Sequence, residues 1–191
     1  ILKFDEGKVT AYFQLAEELE KTETSLYKLV TDDGPVLTFD TYNKYIHFFA
    51  TPDIYDYEAL QGDYEFRIID KNESETEILL QGKRTNNHMK LRKFDGDPVK
   101  YLARSLEVEA GAAAPVYSIE VGDIKGECAL AGNVMQFRYL PAGTEIPVTG
   151  RKAFCYTDTG IRLYEPMELE GIELYEFTFD ADAEAMISED G

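Results

Sequence analysis

Tryptophan is absent from this sequence, and cysteine and histidine occur only twice each. Two cysteines, Cys128 and Cys155, do not make a disulfide framework. His47 and His88 belong to no H-E-x-x-H motif and no Cys/His cluster, so the spacing gives no zinc site. Positive charge is scarce as well: 19 Lys and Arg face 37 Asp and Glu, for a net charge of -18. Such a chain repels phosphate backbones, which argues against nucleic acid as a partner. It also offers no broad basic face to an anionic membrane. No apolar run approaches the length of a membrane-spanning helix. Neither G-x-S-x-G, G-x-x-x-x-G-K-[ST] nor G-x-G-x-x-G occurs, so a hydrolase elbow and the usual nucleotide cradles have no support. No metal and no cofactor is expected.

What is present points to a folded β protein. Of 191 residues, 44% are hydrophobic and 13% aromatic, too many for a disordered chain. The length fits one domain or two small ones. Most segments alternate at period 2. Tyr64, Phe66 and Ile68 share one face, as do Ile78 and Leu80, then Met89 and Leu91, with Asn86-Asn87 as the turn between the last two runs. Further strands are expected near 1–5, 8–13, 25–30, 36–40 and 44–49, which makes about eight before residue 95. Ala16 to Lys21 is an acidic patch that reads as a helical turn or a loop. Asp97-Pro98 supplies an N-cap and a proline at the first helical position, and Val99, Leu102, Ala103 and Leu106 follow at helical spacing. The prediction is a short helix over 98–107, then a small-residue linker to 116.

The strand pattern then resumes at Tyr117, Ile119 and Val121 and at Met135, Phe137 and Tyr139, with strands near 152–157, 161–165 and 172–179. The last of these changes face between Leu174 and Tyr175. It is either buried on both sides or carries a bulge. The fold expected is all-β, built of antiparallel meanders. Residues 1–97 form a lipocalin-like up-and-down barrel or barrel-like sheet, 98–116 a helix and linker, and 117–191 a related, shorter β unit. The alternative is one pseudo-symmetric structure with a shared core. The second half is the more acidic: residues 105–191 hold 5 bases and 17 acids.

An internal repeat supports two related units. Thr31-Asp32-Asp33-Gly34 and Thr157-Asp158-Thr159-Gly160 lie 126 positions apart, and the same offset carries Leu37 onto Leu163 and Ile46–Phe49 onto Ile172–Tyr175. Each copy reads as strand, T-D-x-G turn, strand, then a third strand. Asp bonds its own backbone in such turns and Gly accepts positive φ.

Candidate sites are few. The loop 50–63 mixes Tyr55 and Tyr57 with Asp53, Asp56 and Glu58, a combination suited to sugar recognition by stacking and hydrogen bonding. The competing reading is a long connection whose tyrosines cover the end of the barrel. Lys83, Arg84, Lys90, Arg92 and Lys93 crowd one hairpin, which reads as an edge kept unpaired by charge or as a partner-docking patch. His47 on its expected strand is a packed or rim histidine. Asp180, Asp182 and Glu184 fit the first positions of a calcium loop, but Ala185 and Gly191 stand where it needs Gly and Glu. Cys128 and Cys155 are either buried strand thiols or, in an oxidising compartment, a bridge between neighbouring strands.

The run Tyr27–Asn43, followed by Ile46-His-Phe-Phe49, Gly62-Asp-Tyr-Glu-Phe66, Leu80-Gln-Gly-Lys-Arg-Thr-Asn-Asn-His-Met89 and a Tyr101-Leu102 helix, resembles a Bacteroidetes family of cell-surface lipoproteins of unknown function. The likeness is strongest over residues 1–107. Members of that family usually carry an upstream Gly-Trp segment, which this chain lacks. The resemblance implies export behind a lipoprotein signal, lipid anchoring in the full-length precursor, and a place in the periplasm or on the outer-membrane surface. It brings no catalytic residue. The start at Ile1-Leu2-Lys3-Phe4, without Met, fits removal of a leader. The function expected is a non-catalytic surface binding or structural module, with a glycan or another surface protein as partner. The alternative is a carbohydrate-active enzyme using a carboxylate pair.

Overall fold

The computed structural model describes the chain apart from residues 15–18, 20, 33, 56, 58–59, 113–115, 122–123, 170, 184 and 189–191. Most of the acidic patch Ala16–Lys21 therefore lies outside the described residues. The protein is all-β with antiparallel sheets. It divides into two compact units, Ile1–Val99 and Lys100–Gly191.

Among the described residues the first unit holds eight strands in two sheets, though not the same eight that the alternation predicts: the strand expected over 25–30 is two, and the one expected over 44–49 is a helix. Strands β1 (Leu2–Asp5), β2 (Lys8–Tyr12) and β3 (Thr22–Leu26) form a three-stranded meander. Strands β4 (Lys28–Thr31), β5 (Pro35–Thr38), β6 (Glu65–Lys71), β7 (Glu77–Gly82) and β8 (His88–Arg92) form a five-stranded one. The single strand expected over 25–30 is divided at Tyr27, whose N–H bonds Gly7 O at 3.0 Å in continuation of the β2–β3 register, while Lys28 onward pairs with β5. The chain thus changes partner strand at Tyr27, from β2 to β5, and the expected single sheet is two. Val9 and Ala11 from one sheet and Leu37, Phe66 and Leu80 from the other bury into one cluster with Phe39, Tyr45 and Ile46. Phe66, Leu80, Met89 and Leu91 all face it, as their spacing requires.

Residues 44–49 are not a strand. They form helix α1 (Lys44–Phe48), and Asn43 is the reason. Its side-chain oxygen accepts the N–H groups of Tyr45 (3.1 Å) and Ile46 (3.3 Å), and its amide donates to Glu23 O and Ser25 Oγ. Asn43 is fully buried, so every polar valence it satisfies matters. Tyr45 and Ile46 are consecutive and both buried, which a strand with one wet face does not permit.

Helix α2 (Pro98–Gly111) leads into the second unit. Asp97 Oδ1 caps it by accepting Val99 N–H at 2.9 Å. The helix runs four residues past the expected end at 107, because Val108 and Ala112 are buried and hold that turn in place. The second unit is then a seven-stranded up-and-down meander: β9 (Tyr117–Val121), β10 (Ile124–Ala131), β11 (Val134–Leu140), β12 (Val148–Tyr156), β13 (Gly160–Leu169), β14 (Ile172–Asp180) and β15 (Ala185–Ile187). It curls into a nearly closed barrel. Closure thus falls in the second half rather than the first. Glycines facing aromatic residues help it curl: Gly126 pairs with Tyr139, and Gly150 with Phe137. A Cβ on Gly150 would lie 2.4 Å from the Phe137 ring, so the ring lies over the glycine. Phe154, Ile161, Leu163, Met167, Leu169 and Leu174 fill the core.

The face change in the last long strand is a bulge. Arg162 pairs with Glu176, but Met167 pairs with Leu174, so β13 carries extra residues opposite Tyr175. Pro166 lies in that irregular stretch, where no ladder N–H is required.

The repeat holds only as far as its hairpins. Thr31 pairs with Pro35, whereas Tyr156 pairs with Ile161 and Thr157 N–H bonds Gly160 O, so the two registers differ by one residue. Gly34 takes φ +108; Gly160 belongs to a strand and is hemmed in by Phe177 O. The third element is a helix in the first copy and strand β14 in the second. The likeness between the two segments is that of turns solving the same local problem.

Cys128 on β10 and Cys155 on β12 are separated by β11, so neighbouring strands do not bring them together and neither forms a disulfide.

Candidate functional site

The loop 50–63 is tied at its neck and open at its tip. Gly62 N–H bonds Phe49 O at 2.8 Å, closing the loop on itself. A Cβ at Gly62 would strike Phe49 Cβ at 2.4 Å, so only glycine permits this approach. The hairpin between β7 and β8 then grips the neck. Arg84 donates through its guanidinium to Gly62 O (2.9 Å) and Ala50 O (3.4 Å). Asn87 Nδ2 donates to Gln61 O at 2.9 Å. In return Asp63 accepts the N–H groups of Arg84 (2.9 Å) and Thr85 (3.1 Å) and the Thr85 hydroxyl. Compact loops with tied ends of this kind are a common seat of function.

At the tip, Tyr55 is 93% and Tyr57 92% exposed, with Ile54 beside them at 88%. Asp53 Oδ1 accepts Tyr55 N–H at 3.0 Å and so sets the backbone direction there. Asp56 and Glu58 lie outside the described residues. The tyrosines therefore point into solvent rather than covering the end of a sheet. Next to the loop in sequence stands an aromatic stack: the His47 ring lies 4.8 Å from Tyr64, nearly parallel, and 5.1 Å from Tyr42. His47 Nδ1 sits 3.1 Å from Asn43 O. It is a packed histidine at a partly exposed surface, on a helix instead of the expected strand.

The basic hairpin is an edge, since β8 ends its sheet. Its charges are largely met within the unit. Lys83 pairs with Asp32 at 2.6 Å, and this ion pair holds the Asp32 carboxyl below its ordinary range and raises the lysine. Arg92 and Lys90 reach Glu77 at 2.8 and 3.8 Å, and Lys93 reaches Asp95 at 3.8 Å. Arg84 holds the loop. Glu75 is likewise held low by Lys71. Both displacements run opposite to the raised carboxyl that a general acid needs. Asp180, first of the calcium-like acids, accepts the N–H groups of Asp182 (2.9 Å) and Ala183 (3.0 Å) and so caps the turn into β15.

The second unit contains a feature absent from the sequence reading: a cavity of about 530 Å³ inside the barrel. Its walls include Cys128, Leu130, Met135, Met167 and Phe177, and both end strands of the sheet, β9 and β15, border it. Burial pushes the Cys128 thiol up to about 11. The alternation of β9 predicts its inward face, but which strands meet around a hollow depends on barrel closure. Two of those strands, β10 and β15, are missing from the sequence reading. In β10 the run Gly126-Glu-Cys-Ala129 is poor in β-branched residues, and β15 is three residues long.

Taken together, these features define an all-β protein with a braced, aromatic-tipped loop on one unit and a hollow barrel in the other. The chain belongs to the family described as a domain of unknown function (DUF4302), whose profile matches residues 1–181. That match spans the second unit as well as the region of strongest resemblance. No curated protein and no solved structure matches the chain.

Proposed function

We propose that this chain is a non-catalytic binding module of an exported, lipid-anchored surface protein, and that the loop 50–63 engages a neutral glycan. The observation that carries this reading is the contrast between neck and tip. Among the described residues six hydrogen bonds join Arg84, Thr85 and Asn87 of the β7–β8 hairpin to Ala50, Gln61, Gly62 and Asp63 at the neck. The tip meanwhile presents two tyrosine rings to solvent. A loop held at its neck has less conformational freedom to lose on binding than one free at both ends, and tyrosine offers a stacking face together with a hydroxyl. Asp53 supplies a hydrogen-bond acceptor for sugar hydroxyls. The net charge of -18 repels anionic ligands and leaves neutral ones indifferent.

Glycan-array binding of the wild type beside the Tyr55→Ala, Tyr57→Ala double variant tests the site. Binding lost in the variant supports it; equal binding removes the loop from consideration. Turnover of any polysaccharide would replace the binding module with a carbohydrate-active enzyme. The N-terminal sequence of the precursor tests export and anchoring: a signal peptide ending just before a Cys is the expected result.

A further inference from the structure

We infer that the barrel of the second unit is a binding site for one uncharged apolar molecule, which enters along the seam between β9 and β15. Three observations converge. The first is the hollow itself. Protein interiors are close-packed, with few voids larger than a water molecule. A cavity of about 530 Å³ lies within the range of sites that hold small ligands. Met135, Ile161, Met167, Leu174 and Phe177 make an apolar inner wall that favours an apolar guest over solvent, while Ser118, Glu120 and Ser188 line the same space as polar groups.

The second observation is the composition of the wall. Three of the four methionines in the chain, Met135, Met167 and Met186, line this one cavity. Methionine is unbranched and polarisable, and it concentrates where a surface must adapt to the shape of a guest. Phe177 and Leu174 add rigid apolar area, and the Cys128 thiol, kept neutral by burial, adds no charge.

The third is the way in. Among the described residues β9 pairs with β10 alone and β15 with β14 alone, so no ladder joins the two end strands of the nearly closed barrel. Both border the cavity. Along β9, the more buried Tyr117, Ile119 and Val121 alternate with exposed Ser118 and Glu120, and all five border the cavity, so a carboxylate stands at its mouth. Strand edges held by no cross-seam hydrogen bonds separate more easily than paired ones. The charge selects the guest. With 17 acids and 5 bases over residues 105–191, a carboxylate or phosphate headgroup is repelled at this mouth.

The test is titration of the purified chain with N-phenyl-1-naphthylamine, an uncharged apolar dye that brightens out of water. The expected result is saturable, one-to-one enhancement. Met135→Trp, which fills the cavity, weakens binding by about tenfold or more. In a Cys155→Ser background, saturating dye slows alkylation of Cys128 by a neutral maleimide. Decanol displaces the dye, and decanoate does so far more weakly. No enhancement, or enhancement unchanged in a folded Met135→Trp, overturns the inference. If Met135→Trp does not fold, the Cys128 measurement decides: an alkylation rate unchanged by dye places the dye elsewhere and overturns it. Equal displacement by decanoate overturns the neutral-ligand assignment.

Discussion

The Asp63 carboxylate fills the space that a side chain at Gly82 would need: a Cβ on Gly82 would lie 2.0 Å from Asp63 Oδ2. The carboxylate can reach the N–H groups of Arg84 and Thr85 only because residue 82 has no side chain. Gly82→Ala should therefore destabilise by about 1–3 kcal/mol, as an overpacked site. Asp63→Ala should cost a similar amount, about 1–3 kcal/mol, by leaving the two amides without a partner. Because both changes break one clamp, the double variant should cost clearly less than the sum. Urea unfolding of the three variants checks this, and limited proteolysis should cut the loop 50–63 faster in each.

Asn43 makes the second prediction. Its oxygen caps α1 and its amide holds β3, all out of water. Asn43→Ala should destabilise by about 2–3 kcal/mol, combining a lost cap with buried groups left unmet. Asn43→Asp keeps the cap acceptor but replaces the donor facing Glu23 O and Ser25 Oγ with a second acceptor, so it too should be less stable than wild type. Thermal melts by circular dichroism measure both, and an Asp variant as stable as wild type would refute the account.

Cys128 predicts a pH dependence. Its thiol rises to about 11 from an ordinary 9.0 because burial disfavours the thiolate. On unfolding, the thiol is free to ionise at the lower value. Between pH 9 and about 11 the unfolded chain thus holds fewer protons than the native one, and stability falls as pH rises through that window. Below pH 9 the thiol is protonated in both states and contributes no slope. Cys128→Ala should flatten this part of the curve, measured as the difference in thermal midpoint between variant and wild type across the window.

Gly34 and Gly160 stand at matching places in the repeat yet should fail differently. Gly34→Ala puts a side chain at φ +108 with open space around it, so the cost is backbone strain alone, about 1–3 kcal/mol. Gly160→Ala drives a Cβ to 1.8 Å from Phe177 O and must push β13 from β14, so its cost should exceed that of Gly34→Ala. Equal losses in denaturant midpoint would show that the two turns are alike after all.

The tyrosines at the loop tip should matter for ligand and not for folding. At more than nine-tenths exposure, Tyr55→Ala and Tyr57→Ala should each shift stability by no more than about 0.5 kcal/mol. A large fall in thermal midpoint would mean that the rings are packed and would remove them as free contacts.

How far the sequence could be read is visible at particular residues. Phe66, Leu80, Met89 and Leu91 declared their inward face by alternation, because side-chain direction in a strand is a local property. Asp97-Pro98 announced α2 by cap chemistry that needs no partner. The face change at Leu174–Tyr175 announced a bulge, though not that β13 carries the extra residues. Residues 44–49 failed because the apolar pair Tyr45-Ile46 fits a buried strand as readily as a helix, and Asn43 settles the matter only when Glu23 and Ser25 are beside it. The candidate loop was legible as a mixture of Tyr and Asp, but not its brace: Asp63 and Thr85 are 22 positions apart.

The sequence by itself determined an acidic, all-β, antiparallel chain with a helix near its middle, since charge, alternation and capping depend on residues within a turn or two of one another. Tertiary structure decided what those strands enclose. Whether eight strands make one sheet or two depends on the change of partner at Tyr27, from β2 to β5, and the curl of the seven-stranded sheet goes with close cross-strand approaches such as Gly150 beneath the Phe137 ring. Those contacts join residues distant in the chain, and their geometry exists only once the sheet has formed.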